Sequence, residues 1–310
     1  MPLHPAIVAW LEPLKALPPI HTLPVAMVRA GGAERLKFAP PPPPVGTVVN
    51  RGIPGPAGDI PIRIYRPFGV GPFPLTVFFH GGGFVLGNLD SHDPVCRHLC
   101  LASDSVVMAV DYRLAPEHKF PAATDDCLAA VRWAASHARE IGADGKRIAL
   151  AGDSAGATLS AVTAIRVRDE GGPALCAQLL NCPRVDHRVD LPSYRDNAEG
   201  YFLTLAMVNW FANHYLGKPE DAHDPHASPI QAKSLAGLPP AYILTAEYDP
   251  IRDDGEIYAD RLTAEGVPVV RKRYSNMLHD FPYILLDVVP EAAEELAAHG
   301  AWLKARFAAA

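Results

Sequence analysis

The chain has 310 residues, 49% of them apolar and 20% charged, with 28 Lys and Arg against 34 Asp and Glu. That composition excludes a disordered or fibrous chain, and the formal charge of −6 excludes an overall positive field for a nucleic-acid backbone. Five cysteines, an odd number in a long chain, do not form a disulfide framework and point to a reducing compartment, the cytoplasm.

From the N-terminus, no basic leader precedes an apolar run, and no stretch of about 18 apolar residues calls for a membrane span. Ala6–Leu17 reads as a helix with Ile7, Val8, Trp10, Leu11 and Leu14 on one stripe, and a second short helix follows. The prolines Pro40 to Pro44 favour an extended linker. Beyond it, apolar β-branched runs at Gly46–Asn50, Ile60–Tyr65, Leu75–Phe79, Ser105–Val110, Arg147–Ala151, Leu175–Asn181, Ala241–Ala246 and Val267–Tyr274 read as strands. From the third onward, helical stretches separate them, around 92–103, 123–139, 155–169 and 252–265, with a closing helix at 291–307. This rhythm predicts a single α/β domain over 1–310, with a mostly parallel sheet of about eight strands covered by helices on both faces. The stretch 187–225 breaks it, with one aromatic-rich helix at Ala206–Tyr215, and is expected to form a lid together with residues 1–45. Val267–Tyr274 is expected at a sheet edge, where it could pair two copies of the chain.

Two strings carry the chemistry. Gly152-Asp153-Ser154-Ala155-Gly156 follows the strand RIALA and opens a small-residue helix, so a sharp turn would expose the Ser154 hydroxyl at the carboxyl edge of the sheet. Taken alone, a small-residue turn with a capping serine would look the same. His80-Gly81-Gly82-Gly83 follows the strand LTVFF, and glycines leave backbone N–H groups free to meet a developing oxyanion. A phosphate loop is excluded, because Asn88-Leu89 stand where Lys-Ser/Thr are required. A nucleophilic serine needs a base oriented by an acid, in the order Ser, Asp or Glu, His for such a sheet. Asp249 follows the strand AYILTA and His279 follows PVVRKRY; Glu247, Asp253 and Asp254 are alternative acids. Asp280 is too close to His279 in sequence to orient it and is expected to act only through its charge.

The strings HGGGFVLGNLDSHD (80–93), DYRLAPEHKFPAA (111–123), GDSAG (152–156), SYRDNAEGYFLT (193–204), LTAEYDPIRDDGEIYADRL (244–262) and MLHDF (277–281) resemble the bacterial esterases of the hormone-sensitive-lipase family, which have the α/β-hydrolase fold. The resemblance implies Ser154 as nucleophile, His279 as base, Asp249 as orienting acid, and the N–H groups of Gly81, Gly82 and Ala155 as oxyanion donors. It also implies a small-molecule ester with a short or medium acyl chain, and neither metal nor cofactor. Phe84, His187, Tyr201, Phe202 and Leu203 are pocket candidates by position. Asn276, Asp280, Ala157 and Cys182 depart from the family pattern, which leaves substrate preference open. An amidase or peptidase on the same fold is an alternative. A ligand-binding relative such as the plant gibberellin receptors, which lack the histidine, fits less well because all three triad residues are present.

Other clusters read as ordinary structure. Cys96, His98 and Cys100 share an apolar helix without a second ligand pair, and His223, Asp224 and His226 share a proline-containing loop without a third ligand in view. Arg271-Lys272-Arg273 reads as edge protection rather than a nucleic-acid contact.

Overall fold

Alternation along the central strands decides which layer each side chain joins. Leu75, Val77 and Phe79 pack to one face with Val106, Met108 and Val110, whereas Phe78, Val107 and Ala109 pack to the other. Both faces are therefore apolar and both must be covered. The structure is a computed structural model and describes residues 1–37, 40–188 and 191–310, the Arg35 side chain excepted.

The strands are β1 (Thr47–Gly55), β2 (Gly58–Arg66), β3 (Phe73–Phe79), β4 (Val106–Val110), β5 (Ala143–Asp153), β6 (Leu175–Asn181), β7 (Ala241–Tyr248) and β8 (Val269–Leu278). They form one sheet in the order β1-β2-β4-β3-β5-β6-β7-β8. β1 and β2 pair antiparallel, β2 and β4 likewise, and the remaining neighbours are parallel. This is the mostly parallel eight-stranded sheet that the sequence rhythm predicts, in an order compatible with the fold the resemblance implies. β1 runs five residues past its expected end because it pairs with β2 up to the Gly55–Gly58 turn. Its side chains are mostly exposed, so no apolar alternation marked it.

The helices are α1 (Pro5–Leu11), α2 (Val25–Leu36), α3 (Asp93–Ser103), α4 (Ala122–Ser136), α5 (Ala155–Asp169), α6 (Pro192–Asp196), α7 (Leu205–Tyr215), α8 (Arg252–Ala264), α9 (Phe281–Ile284) and α10 (Pro290–Ala308). On one face, Cys127 and Leu128 of α4, Leu159 of α5 and Leu262 of α8 meet the sheet; on the other, Leu99 of α3, Leu303 of α10 and Ile7 of α1 do. The expected helix Ala6–Leu17 is an α-helix over Pro5–Leu11 that tightens to a 3₁₀ stretch at Glu12–Ala16, because Pro13 has no N–H for an α-helical bond. Residues 38–39 and 190, with 189, fall within the expected lid and lie outside the described residues.

β8 is an edge strand, and its cations are all spoken for. Arg271 pairs with Asp260 (2.6 Å), Lys272 with Glu295 (2.5 Å) and Arg273 with Glu247 (2.6 Å). No helix among the described residues is long and apolar enough to cross a membrane.

Candidate active site

The carboxyl ends of β3, β5, β6, β7 and β8 converge on one spot, where ligands bind in open α/β sheets. At its centre β5 turns into α5 through Ser154, which holds φ 52° and ψ −118°. The turn closes only because Gly156 has no side chain: a Cβ there would run into the carbonyl of Phe79. The Ser154 amide is fixed by the carbonyl of Asn181 (2.8 Å).

The Ser154 hydroxyl lies 3.0 Å from Nε2 of His279, and Nδ1 of His279 lies 2.7 Å from Oδ2 of Asp249. Asp249 is fully buried, and its other oxygen accepts the amide of Ile251 at 2.9 Å. The loop carrying it is braced by Asn197, whose Nδ2 donates to the carbonyls of Glu247 (2.9 Å) and Asp249 (3.1 Å). Nothing in the sequence singled out Asn197. The alternative acids are engaged elsewhere: Glu247 and Asp253 pair with Arg252 at 2.9 and 2.7 Å, and Asp254 accepts the amides of Val185 and Asp186. Burial pushes the Asp254 carboxyl up to about 7.

Asp280 does not behave as expected. Burial, and next the charge of Asp153, push its carboxyl well above the usual range, which favours the neutral form and weakens any charge it presents to His279. It accepts a hydrogen bond from Asn181 Nδ2. Asp153 shifts the opposite way. Burial opposes its ionisation, but His92 beside it and the bond with Asp280 hold it below the ordinary value.

The glycine loop corrects one expectation. The Gly81 amide points at Nε2 of His92 (3.3 Å), and its Cα packs against Asp153 so closely that no Cβ fits. Gly81 therefore faces the interior, and the glycine on the pocket wall beside Ser154 and Ala155 is Gly83. Gly82 and Gly83 both have positive φ, 114° and 63°, angles that glycine adopts without strain. Ala155 lies in the first turn of α5, where N–H groups have no intrahelical acceptor. His80 is structural: burial, and then His92, lower its ring to about 4, and it stacks on Tyr112 at 4.3 Å.

A cavity of ≈ 40 Å³ opens on Ser154, lined by Phe84, His187 and Leu203 as expected, and also by Arg184, Phe211 and Ile251. Val208, Phe211 and Ala212 face it from α7 at helical spacing, a spacing visible in the sequence. Tyr201 and Phe202 stand elsewhere. Successive residues of this segment project to different sides, so Leu203 reaches Ser154 while Phe202 packs on Trp10 (5.5 Å) and Tyr201 on Tyr248 (4.8 Å). Both line a second cavity of ≈ 420 Å³ against Leu11, Leu14 and Pro19.

Among the described residues, the one grouping with three potential metal-ligating atoms within 4.8 Å of one another is Cys182, Asp249 and His279. Two of the three are already bonded to each other. Among the described residues, five non-glycine residues have positive φ, and four of them, Phe84, Ser154, Cys182 and Asp280, lie at this carboxyl edge; the fifth, Asp104, ends α3.

Comparison with known proteins agrees with this fold. A family model described as alpha/beta hydrolase fold matches residues 76–283. The esterase LipI of Mycobacterium tuberculosis is 46% identical over 84% of this chain and 83% of its own, and the carboxylesterase NlhH of the same species is 43% identical over 89% and 90%. Among solved structures, an esterase from the archaeon Pyrobaculum calidifontis superposes with a TM-score of 0.93 at 42% identity, covering 98% of this chain and 99% of that one. The chain belongs to the α/β-hydrolase family, among its hormone-sensitive-lipase-like esterases.

Proposed function

We propose that the protein is a carboxylesterase in which Ser154 attacks the ester carbonyl while Nε2 of His279 takes its proton. The observation that carries this reading is the continuous relay from Ser154 through His279 to the buried carboxylate of Asp249. Asp249 fixes the imidazole so that its other nitrogen faces the hydroxyl, and stabilises the imidazolium that forms. The tetrahedral oxyanion rests on the amides of Gly82, Gly83 and Ala155; one such donor is worth about 3–4 kcal/mol in the transition state. His279 then protonates the leaving alcohol. Water, activated by the same histidine, cleaves the acyl-enzyme. Every step uses groups of this chain.

The substrate is a small ester with a short to medium acyl chain, in keeping with the ≈ 40 Å³ cavity at Ser154. The single domain carries a lid made of residues 1–45 and 187–225, a reading supported by the packing of Trp10 on Phe202. The cytoplasm suits the five unpaired cysteines, and a homodimer through β8 suits its edge position.

A fluorophosphonate should add one adduct, at Ser154, and abolish turnover of p-nitrophenyl esters of graded chain length. A matched ester and amide separate this reading from an amidase. Labelling at another serine, or faster cleavage of the amide, contradicts it.

A further inference from the structure

The cavity at Ser154 is not lined by apolar groups alone. Arg184 and His187 stand in its wall, and Arg184 also faces Tyr194 and Asp254. Even so, the Nε of Arg184 and both ring nitrogens of His187 are buried without a hydrogen-bond partner. A buried polar group left unpaired is costly, and such groups are rare unless something binds them. The backbone holding them is firmly built. The Arg184 carbonyl accepts the Thr158 hydroxyl (2.6 Å), the amides of Val185 and Asp186 donate to Asp254 (3.0 and 3.1 Å), and the His187 amide donates to Ser228 Oγ (3.0 Å). Arg184 Nη1 leans on the carbonyl of Val208 at 3.4 Å, which leaves the Nε edge unused. Burial, and then the charge of Arg184, lower the His187 ring well below its usual value, so the imidazole is neutral and offers one N–H.

The cavity also lies on a definite side of the serine. Ser154, Gly83 and Ala155 line it, but His279 does not. Since His279 must protonate the leaving alcohol, the alcohol lies toward His279 and the acyl arm lies in this cavity.

We propose that the pocket selects esters whose short acyl arm carries a hydrogen-bond acceptor, such as an oxo group, received by Arg184 Nε and the His187 ring. This rests on the esterase reading and specifies its substrate class. The rest of the wall, Phe84, Leu203, Val208, Phe211 and Ile251, holds the carbon skeleton and excludes water from the pair. A plain alkyl arm of the same length fills the space but leaves the donors unpaired, which is the situation in which binding sites discriminate most strongly.

The test compares methyl 4-oxopentanoate with methyl pentanoate by pH-stat, each kcat/KM divided by the rate constant for alkaline hydrolysis of that ester. The oxo ester is expected to be favoured by at least about tenfold. The ratio should fall toward one in Arg184→Met and take an intermediate value in Arg184→Lys, which keeps a charge and a donor. Both esters are read on one preparation, so partial misfolding cancels. A wild-type ratio near one, or a ratio that survives Arg184→Met, overturns the proposal. If the wild type cleaves neither ester nor any p-nitrophenyl ester, the esterase reading fails instead.

Discussion

The guanidinium of Arg29, on α2, donates through Nε to the carbonyl of Val85 at 2.9 Å, two residues beyond Gly83. Its Nη2 reaches the carbonyl of Ala115 (2.8 Å), and Glu117 closes the other side in a bidentate pair (2.8 and 3.0 Å). The N-terminal helices thus brace the loop that carries the glycine amides. Bonds from a charged donor are among the stronger ones in proteins. Arg29→Ala should lower kcat on short esters by about tenfold with a smaller change in KM. Deleting residues 1–40 should do more, and lower solubility by exposing the apolar partners of Ile7 and Leu11. A truncated protein with unchanged kinetics would show that these helices neither brace nor cover the site.

Asp249 and Asp280 should respond in opposite ways to the same amide substitution. Asp249→Asn leaves His279 without an acceptor at Nδ1 and should lower turnover by about 10⁴. Burial and Asp153 push the Asp280 carboxyl toward its neutral form, and an asparagine can still accept from Asn181 and donate toward Asp153. Asp280→Asn should therefore change kcat less than about threefold. Steady-state kinetics of the two purified variants decides between them; a severe loss in the second alone would reassign the acid.

At the β8 edge, Glu295 is a fully buried carboxylate between two layers. Tyr242, Tyr274 and Lys272 each approach it at 2.5 Å, and His299 stands 3.3 Å away. Burial alone would raise its carboxyl, but His299, then Lys272 and Tyr242, hold it at about 2 against an ordinary 4.5. A depressed acid stabilises the fold above its unfolded value, and the contribution is lost as pH falls from about 4.5 toward 2. Glu295→Gln should cost about 3–5 kcal/mol at pH 7 by urea denaturation. It should also flatten the loss of stability between pH 5 and 2. An unchanged acid limb would remove Glu295 as its source.

Apolar and β-branched runs located all eight strands, although the mostly exposed second half of edge strand β1 went unmarked. The inner strands were marked most fully, because strands buried on both faces must be apolar along their length. Ser154, Asp249 and His279 were legible for a related reason: each follows such a strand, and the sheet brings strand ends together whatever their separation in sequence. What was not legible depended on side-chain direction. No pattern says whether Gly81 or Gly83 faces the serine, and the packing of Asp153 against Gly81 decides it. Phe202 was drawn away by Trp10, a partner almost two hundred residues earlier. Arg184 follows Cys182-Pro183 as one arginine among many, and only the cavity distinguishes it.

The concentration of positive φ at Phe84, Ser154, Cys182 and Asp280 means that the chain is wound tightest where it works. Each such residue costs of order 1–3 kcal/mol, which the rest of the fold must hold in check. Glycine would adopt these angles freely, and the extra freedom it gives the unfolded chain costs only about 0.5–1 kcal/mol, less than the strain it relieves. Ser154→Gly should consequently yield an inactive protein that melts about 2 °C higher than the active one in a calorimetric scan. A lower melting point would mean that the elbow is held at rest rather than under tension. Selecting this chain for heat resistance alone would then tend to relax the very turns that aim its reactive groups.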